Sequence, residues 1–205
     1  KRVDKILIKH QISNVQFVTR KYLDTILKNK YHQGIMIKSY KLEQRNYDEI
    51  LESYKSSVLI LDSLTDTQNV GSIIRSAYLF GISLIFYNDK NSFDINSSLI
   101  KSASGAFEKV NLIKAGNLNN LIEYLKGKKY WIFGLDLKSK MNVSEIPNNL
   151  KKVIILGSEN KGIRPLIKKN CDHLVKIPMK KNNEIIDSLN ISNAAAIMFY
   201  ELSKL

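Results

Sequence analysis

Residues 153–166 read Val-Ile-Ile-Leu-Gly-Ser-Glu-Asn-Lys-Gly-Ile-Arg-Pro-Leu, an apolar run that enters a polar turn bracketed by Gly157 and Gly162. Pro165 then stands where a helix begins, because its fixed φ suits the first helical position. A strand such as Val153 to Leu156, with no polar alternation, is buried on both faces, as strands are inside a parallel sheet. The turn offers backbone amides to a ligand. The spacing of Gly157 and Gly162 imitates half a phosphate-binding loop, but Ile163 and Arg164 occupy the positions where nucleotide hydrolases need Lys and Ser/Thr, which excludes that reading. Glu159 is the acidic group of the turn, open to a capping, a solvent-facing or a functional role.

The same alternation of short apolar runs and helix-period segments extends outward from this stretch. Strands are expected at Val58 to Leu61, Ser83 to Phe86, Val110 to Ile113, Tyr130 to Phe133 and Leu174 to Ile177. Helices are expected at Tyr47 to Tyr54, Val70 to Phe80, Ile95 to Ser102, Leu118 to Leu125 and Ser192 to Leu205. This pattern specifies an α/β fold, a parallel sheet with helices on both faces. In such sheets ligands sit beyond the carboxyl ends of the strands, which directs attention to the segments after Leu61, Leu156 and Ile177.

Residues 1–40 read as a small, partial α/β unit: a basic helix at Val3 to His10, a strand at Val15 to Val18, a helix at Lys21 to Leu27 and a strand at Gly34 to Ile37. Residues 41–54 supply a linker and a short helix, and residues 55–205 the main domain.

The segment Leu61-Asp-Ser-Leu-Thr-Asp-Thr-Gln-Asn-Val-Gly-Ser-Ile-Ile-Arg-Ser-Ala-Tyr-Leu-Phe-Gly81 carries one apolar helix face in Val70, Ile73, Ile74 and Ala77. Asn69 is suited to cap this helix and Gly81 to end it. Arg75 falls near the sheet's carboxyl edge, either as a solvated helix arginine or as a guanidinium able to clamp an RNA phosphate bidentately. The third segment runs Val175-Lys-Ile-Pro-Met179, then a polar stretch Lys180 to Asp187, then Ser188-Leu-Asn-Ile-Ser-Asn-Ala-Ala-Ala-Ile-Met-Phe-Tyr-Glu-Leu202. Ser188, Asn190 and Ser192 are good caps for the last helix, and gain functional weight only if grouped with the other two loops.

Composition narrows the partners. Lys+Arg 32 against Asp+Glu 19 gives +13, a field attractive to a polyanion, although an AT-rich genome would also enrich Lys, Asn and Ile. Lys1 to Lys30 holds eight Lys/Arg against two Asp, and Lys151 to Lys181 holds nine against two acidic residues, so both are candidate RNA-facing stretches. The single Cys171 cannot form an internal disulfide, and His10, His32 and His173 have no metal-ligand spacing; a reducing compartment, the cytoplasm, and a metal-free site are expected. No apolar run approaches the roughly 18 residues of a membrane span.

Taken together the three loops resemble the motifs of SpoU RNA methyltransferases of the SPOUT superfamily. Asn69-x-Gly-x-x-x-Arg75 matches the first motif, Gly157-Ser-Glu-x-x-Gly162 the second, and Ile177-Pro-Met179 followed by Ser188-Leu-Asn-x-Ser192 the third. The resemblance continues through Lys101-Ser-Ala-Ser-Gly-Ala-Phe-Glu108 and Tyr130-Trp-Ile-Phe-Gly-Leu-Asp136. His32-Gln-Gly-Ile35 is similar to the end of the substrate-binding domain in the 23S rRNA guanosine 2'-O-methyltransferase branch. Departures are Thr67, where the family usually has Pro, a longer glycine-free connection from Met179 to Ser188, and an incomplete amino-terminal domain.

The resemblance implies a carboxyl-terminal deep trefoil knot that holds S-adenosylmethionine against Leu156, Gly157, Ile177, Met179, Ser188 and Leu189. It implies transfer of a methyl group to a ribose 2'-hydroxyl of RNA, a guanosine in 23S rRNA being favoured over tRNA. Arg75 would be the central catalytic residue, with Asn69, Glu159, Ser188 and Asn190 orienting it and the ribose. Arg75, Lys161, Arg164, His32 and Gln33 would bind RNA, and the protein would act as a homodimer without metal or membrane. A non-catalytic RNA-binding module of the same fold is the competing reading, and a nucleotide-dependent oxidoreductase is disfavoured by the absence of Gly-x-Gly-x-x-Gly among the nine glycines.

Overall fold

A computed structural model describes residues 14–28, 32–38, 47–54, 56–180 and 188–204. The chain forms two compact units, Lys1–Glu43 and Gln44–Leu205. In the first, helix α1 (Arg20–Ile26) is capped by Thr19, whose hydroxyl accepts from Tyr22 N at 3.3 Å. The expected helix at Val3 to His10 lies outside the described residues. The expected strands at Val15 to Val18 and Gly34 to Ile37 do not form. A strand exists only by pairing its backbone with a neighbour, and neither segment finds one among the described residues; Phe17 and Ile37 are 86% and 82% exposed.

The second unit is built on seven parallel strands. In chain order the elements are α2 (Tyr47–Ser53), β1 (Val58–Asp62), α3 (Thr67–Leu79), β2 (Leu84–Asn88), α4 (Ser97–Ala103), β3 (Asn111–Ala115), α5 (Leu118–Gly127), β4 (Trp131–Leu135), β5 (Met141–Asn142), β6 (Lys152–Gly157), α6 (Pro165–Lys169), β7 (His173–Lys176) and α7 (Ile191–Ser203). The sheet order is β3-β2-β1-β6-β4-β7-β5. Each sequence-predicted element of this unit is present, with its ends shifted by no more than three residues. The two-residue β5 has no signal in the sequence, because it is defined by its bridges to Val175 and Lys176 rather than by its own composition.

Every residue of β1, β2 and β6 is buried, as their unalternating apolar runs require. Leu59 and Leu61 face a layer made by α3 and α7, while Val58 and Ile60 face the layer containing α5. Burying a side chain of this size stabilises by roughly 1.5–3 kcal/mol, so a continuous double-sided core fixes the strand order firmly.

Helix α3 starts earlier than its sequence suggests. Asp66, not Asn69, is the N-cap: its carboxylate accepts from Asn69 N at 2.7 Å. Thr67 takes the first helical position, where Pro would also fit, so Thr in place of Pro preserves the helix start. At the other end Gly81, at φ +78°, closes a two-bond cap: its own N–H donates to Tyr78 O and Ile82 N–H to Ala77 O.

Gly71 lets α3 lie directly on α4, since a Cβ there would overlap Leu99 O and approach Ser102 Cβ within 2.6 Å and Ala103 N within 3.0 Å. Backbone atoms cannot rotate away. Gly71→Val is therefore expected to lower unfolding stability by about 1–3 kcal/mol, the usual range for overpacking, despite removing a helix glycine. Urea unfolding followed by circular dichroism measures it; unchanged stability would mean that the α3–α4 contact is looser than described.

Candidate active site

Strands β1 and β6 are neighbours in register, with Asp62 opposite Gly157. Their carboxyl ends therefore release two loops side by side although 95 residues separate them in sequence, residues 63–66 leading into α3 and residues 158–164 leading into α6. Helix α7 packs on α3 and brings its own N-terminus to the same rim. Three chain-distant loops thus meet at one edge of the sheet.

Their meeting point is a set of side-chain amides around one carboxylate. Asn69 Nδ2 donates to Glu159 Oε1 at 2.9 Å, and Asn190 Nδ2 donates both to that oxygen at 3.1 Å and to Asn69 Oδ1 at 3.0 Å. The N–H of Ile191 also points at Glu159 Oε1, at 3.4 Å. Asn69 is free for this because Asp66 caps α3. Asn190 serves twice, since its Oδ1 is the N-cap of α7 and accepts from Ser192 N at 2.9 Å and Asn193 N at 3.4 Å. The positive end of α7 also favours the negative charge of Glu159.

Beneath this cluster lies a residue that the sequence reading missed. Asp62, the last residue of β1, is completely buried, and both its oxygens are used: Oδ2 accepts from Arg164 N at 2.8 Å and Oδ1 from Arg164 Nε at 2.6 Å. An aspartate directly ending an apolar strand was the available signal, and its meaning depends on a partner 102 residues away. A buried carboxylate needs such a partner, because desolvating an unpaired charge is costly. The pair holds the loop of residues 158–164 down against β1, and Gly157 assists, since a Cβ there would run into the backbone of Gly162 and Ile163.

A cavity of about 500 Å³ opens at this rim, lined in part by Ser63, Asp66, Asn69, Glu159, Lys161 and Arg164. Ser63 sits in left-handed backbone geometry at φ +60°, held by the buried Asn88, whose Oδ1 accepts from Ser63 N at 2.8 Å.

The other sequence-predicted residues are placed as follows. Arg75 is exposed on α3, six residues past Asn69, and makes no hydrogen bond or ion pair among the described residues. Leu156 and Gly157 are buried at the end of β6, Ile177 is half-buried after β7, and Met179, Ser188 and Leu189 are exposed. None of these six lines the cavity described above. Residues 181–187, within the connection from Met179 to Ser188, lie outside the described residues. In the amino-terminal unit Gln33 is exposed, whereas the His32 side chain is buried, with Nε2 bonded to Asp24 Oδ1 at 2.8 Å and Nδ1 accepting from Gly34 N at 2.9 Å. Both ring nitrogens of His32 are thereby engaged within the protein.

Two further groups delimit the chemistry. Burial and then the nearby Asp172 push the Cys171 thiol up to about 12, so it is protonated and unreactive at neutral pH. Burial also pushes the Asp136 carboxyl up, but the Lys168 ammonium and the Lys138 backbone amide more than offset it, leaving Asp136 ionised below the ordinary carboxylate value. Among the described residues no cluster of His, Cys, Asp or Glu is placed to hold a metal ion, and no helix is long and apolar enough to cross a membrane.

The dual role of Asn190 is separable. Asn190→Ala removes cap and amide together, and is expected to lower stability by about 1 kcal/mol. Asn190→Asp keeps the capping oxygen but removes the Nδ2 donor and sets a like charge beside Glu159. Thermal melts should show N190D closer to wild type than N190A, with substrate turnover impaired in both; full turnover by N190D would remove the amide from the working site.

The family model described as the SpoU rRNA Methylase family matches residues 56–200 of this chain. An uncharacterized tRNA/rRNA methyltransferase of Borreliella burgdorferi is 34% identical over 216 residues, covering 100% of this chain and 92% of its own length. A putative TrmH family tRNA/rRNA methyltransferase of Staphylococcus epidermidis is 34% identical over 193 residues, covering 92% of this chain and 76% of its own length. Among solved structures, the SpoU methyltransferase AviRb from Streptomyces viridochromogenes superposes with a TM-score of 0.71 at 21% identity, over 80% of this chain and 65% of that one. The AdoMet-bound rRNA methyltransferase from Sinorhizobium meliloti does so with a TM-score of 0.71 at 20% identity, over 90% and 69%. The chain thus spans just under two thirds of AviRb and more of the curated relatives. The motif loops at one sheet edge, the matched family model and the identity to these relatives lead to one conclusion: the chain belongs to the SpoU rRNA Methylase family, the SpoU/TrmH group of RNA methyltransferases.

Proposed function

We propose that the chain transfers a methyl group from S-adenosylmethionine to a ribose 2'-hydroxyl of RNA. The observation that carries this reading is the convergence of Asn69, Glu159 and Asn190, three residues of three separate motifs, on one hydrogen-bonded cluster beside an open cavity. SpoU methyltransferases bind S-adenosylmethionine, and a solved relative of this fold holds it. The residues present fit that group. Leu137, Met179 and Leu189 expose apolar surface in the segments that leave β4 and β7 and enter α7, as an adenine ring would require. Leu156, Gly157, Ile177, Met179, Ser188 and Leu189 would hold it, largely through backbone groups.

The cofactor, when bound, supplies an already activated methyl group, so the protein's task is alignment and charge control. Glu159, fixed by two side-chain amides, is oriented to engage the ribose. Arg75, exposed and untethered, is available to grip a phosphate and to stabilise the developing alkoxide. An arginine that stays protonated is unsuited to act as the base. Lys161 and Arg164 extend the RNA-facing surface of the larger unit; in the amino-terminal unit His32 and Gln33 are the residues assigned to RNA, the His32 ring being held by Asp24 and Gly34 N.

A guanosine of 23S rRNA is the favoured target and tRNA the second. Residues 1–40 are assigned as part of the substrate-binding domain, 41–54 as linker and short helix, and 55–205 as the catalytic domain. The path from β7, outside β4, back to Asn190 beside the β6 loop supports a trefoil knot in the carboxyl-terminal segment. Tyr78 and Leu79 on α3 and Ile197 and Tyr200 on α7 are exposed apolar side chains on two helices that pack together, which supports a homodimer.

The test is transfer of labelled methyl to RNA by the purified protein, with the modified site resistant to alkaline cleavage. Arg75→Ala is expected to reduce transfer at least a hundredfold, on the order of one lost transition-state contact, while binding of S-adenosylmethionine by calorimetry stays near wild type. Full activity of R75A would remove Arg75 from the mechanism. Sedimentation at micromolar concentration should give a dimer; a monomer would count against the shared α3–α7 surface.

A further inference from the structure

Arg164 combines three properties not found together elsewhere at the rim. Its Nε and backbone N–H are locked onto the buried Asp62. Its side chain is 48% exposed. It lines the cavity beside Glu159 and Asn69, and its two terminal amino groups make no hydrogen bond among the described residues. An arginine held by Nε has one orientation, so those free donors form a fork of fixed direction.

The charge around the cavity decides what that fork can take. Asp62, Asp66 and Glu159 stand against Lys161 and Arg164, and the Asp62–Arg164 pair is itself neutral, so a phosphate gains little here. Asp62 is saturated by Arg164, while Asp66 and Glu159 each use one oxygen, on the start of α3 and on the two asparagine amides respectively. A cavity of about 500 Å³ with a rigid two-pronged donor suits a flat, uncharged ring that presents two adjacent acceptors. Guanine does so through O6 and N7, the edge that a bidentate arginine reads most often, and guanosine is the nucleotide favoured above; cytosine, with O2 and N3, is the alternative that the four-nucleotide comparison below separates.

We propose that Arg164, oriented by Asp62, is a specificity-determining residue that reads the O6/N7 edge of a guanine unstacked into this cavity at the methylated position. The assignment rests on the ribose methyltransferase reading above and adds to it the residue that reads the base. A nucleotide turned out of its stack to bring its ribose into a site enclosed by three loops needs its base held near the reacting ribose. The cavity next to Glu159 provides that place.

The experiment uses the RNA in which wild-type protein places its 2'-O-methyl group, remade with each of the four nucleotides, and with 7-deazaguanosine, at that position. Wild type should prefer guanosine by about tenfold to a hundredfold in kcat/KM, the usual discrimination of a bidentate arginine contact, and should lose most of it on 7-deazaguanosine. R164K, which keeps the charge without the fork, and R164A should methylate all four nucleotides at similar rates and be indifferent to the N7 deletion. S-adenosylmethionine binding and the melting temperature of R164K report whether the loop still folds; Asp62→Asn, which frees the fork, should flatten the preference in the same way. A guanosine preference unchanged in R164K, in protein that still methylates, overturns the assignment alone, as does a wild type indifferent to 7-deazaguanosine. Absence of any ribose methylation by the wild type takes down the parent reading and this one with it.

Discussion

The parallel pairing of β1 with β6 is the constraint on which the site depends. It sets Asp62 opposite Gly157 and forces the loops that leave these strands to emerge side by side. No local feature of either loop achieves this. The pairing holds because both strands are apolar on both faces and can be satisfied only in the middle of a sheet covered by helices.

Electrostatics then turn adjacency into geometry. A carboxylate sealed at the end of β1 has to be neutralised, and Arg164 does so with backbone and side chain together. That double contact pins the loop of residues 158–164 and presents Glu159 to Asn69 and Asn190. The amides in turn accept the constraint readily because each helix is capped in a way that leaves its asparagine side chain usable: Asp66 caps α3 in place of Asn69, and Asn190 caps α7 through its oxygen while donating through its nitrogen. The site is therefore a by-product of how two helix N-termini and one buried charge satisfy their own hydrogen-bonding needs, and its rigidity is suited to catalysis by positioning.

The amino-terminal unit shows where pattern reading fails. Val15 to Val18 and Gly34 to Ile37 have the β-branched composition of strands, but a strand is defined by its neighbour, and the described residues provide none. The same reasoning worked in the larger unit because there each apolar run had a partner of matching length. At the level of one side chain, the contacts of the His32 ring with Asp24 and Gly34 N are likewise set by the fold.

Sequence alone determined the alternation of strands and helices, the doubly covered parallel sheet, and the identity of the three motif loops, because periodicity, unbroken apolar runs and Gly/Pro punctuation are properties of neighbouring residues. It also singled out Asn69, Glu159 and Asn190, though not their mutual contacts. Only the tertiary structure decided that these three share one carboxylate oxygen, that Asp62 sits beneath them bound to Arg164, and that the cavity is lined by Ser63 and Lys161 rather than by Ile177 or Met179. Those hydrogen bonds join residues about 30 to 120 positions apart, and contacts at such separation are fixed by strand order and helix packing, which no local pattern encodes.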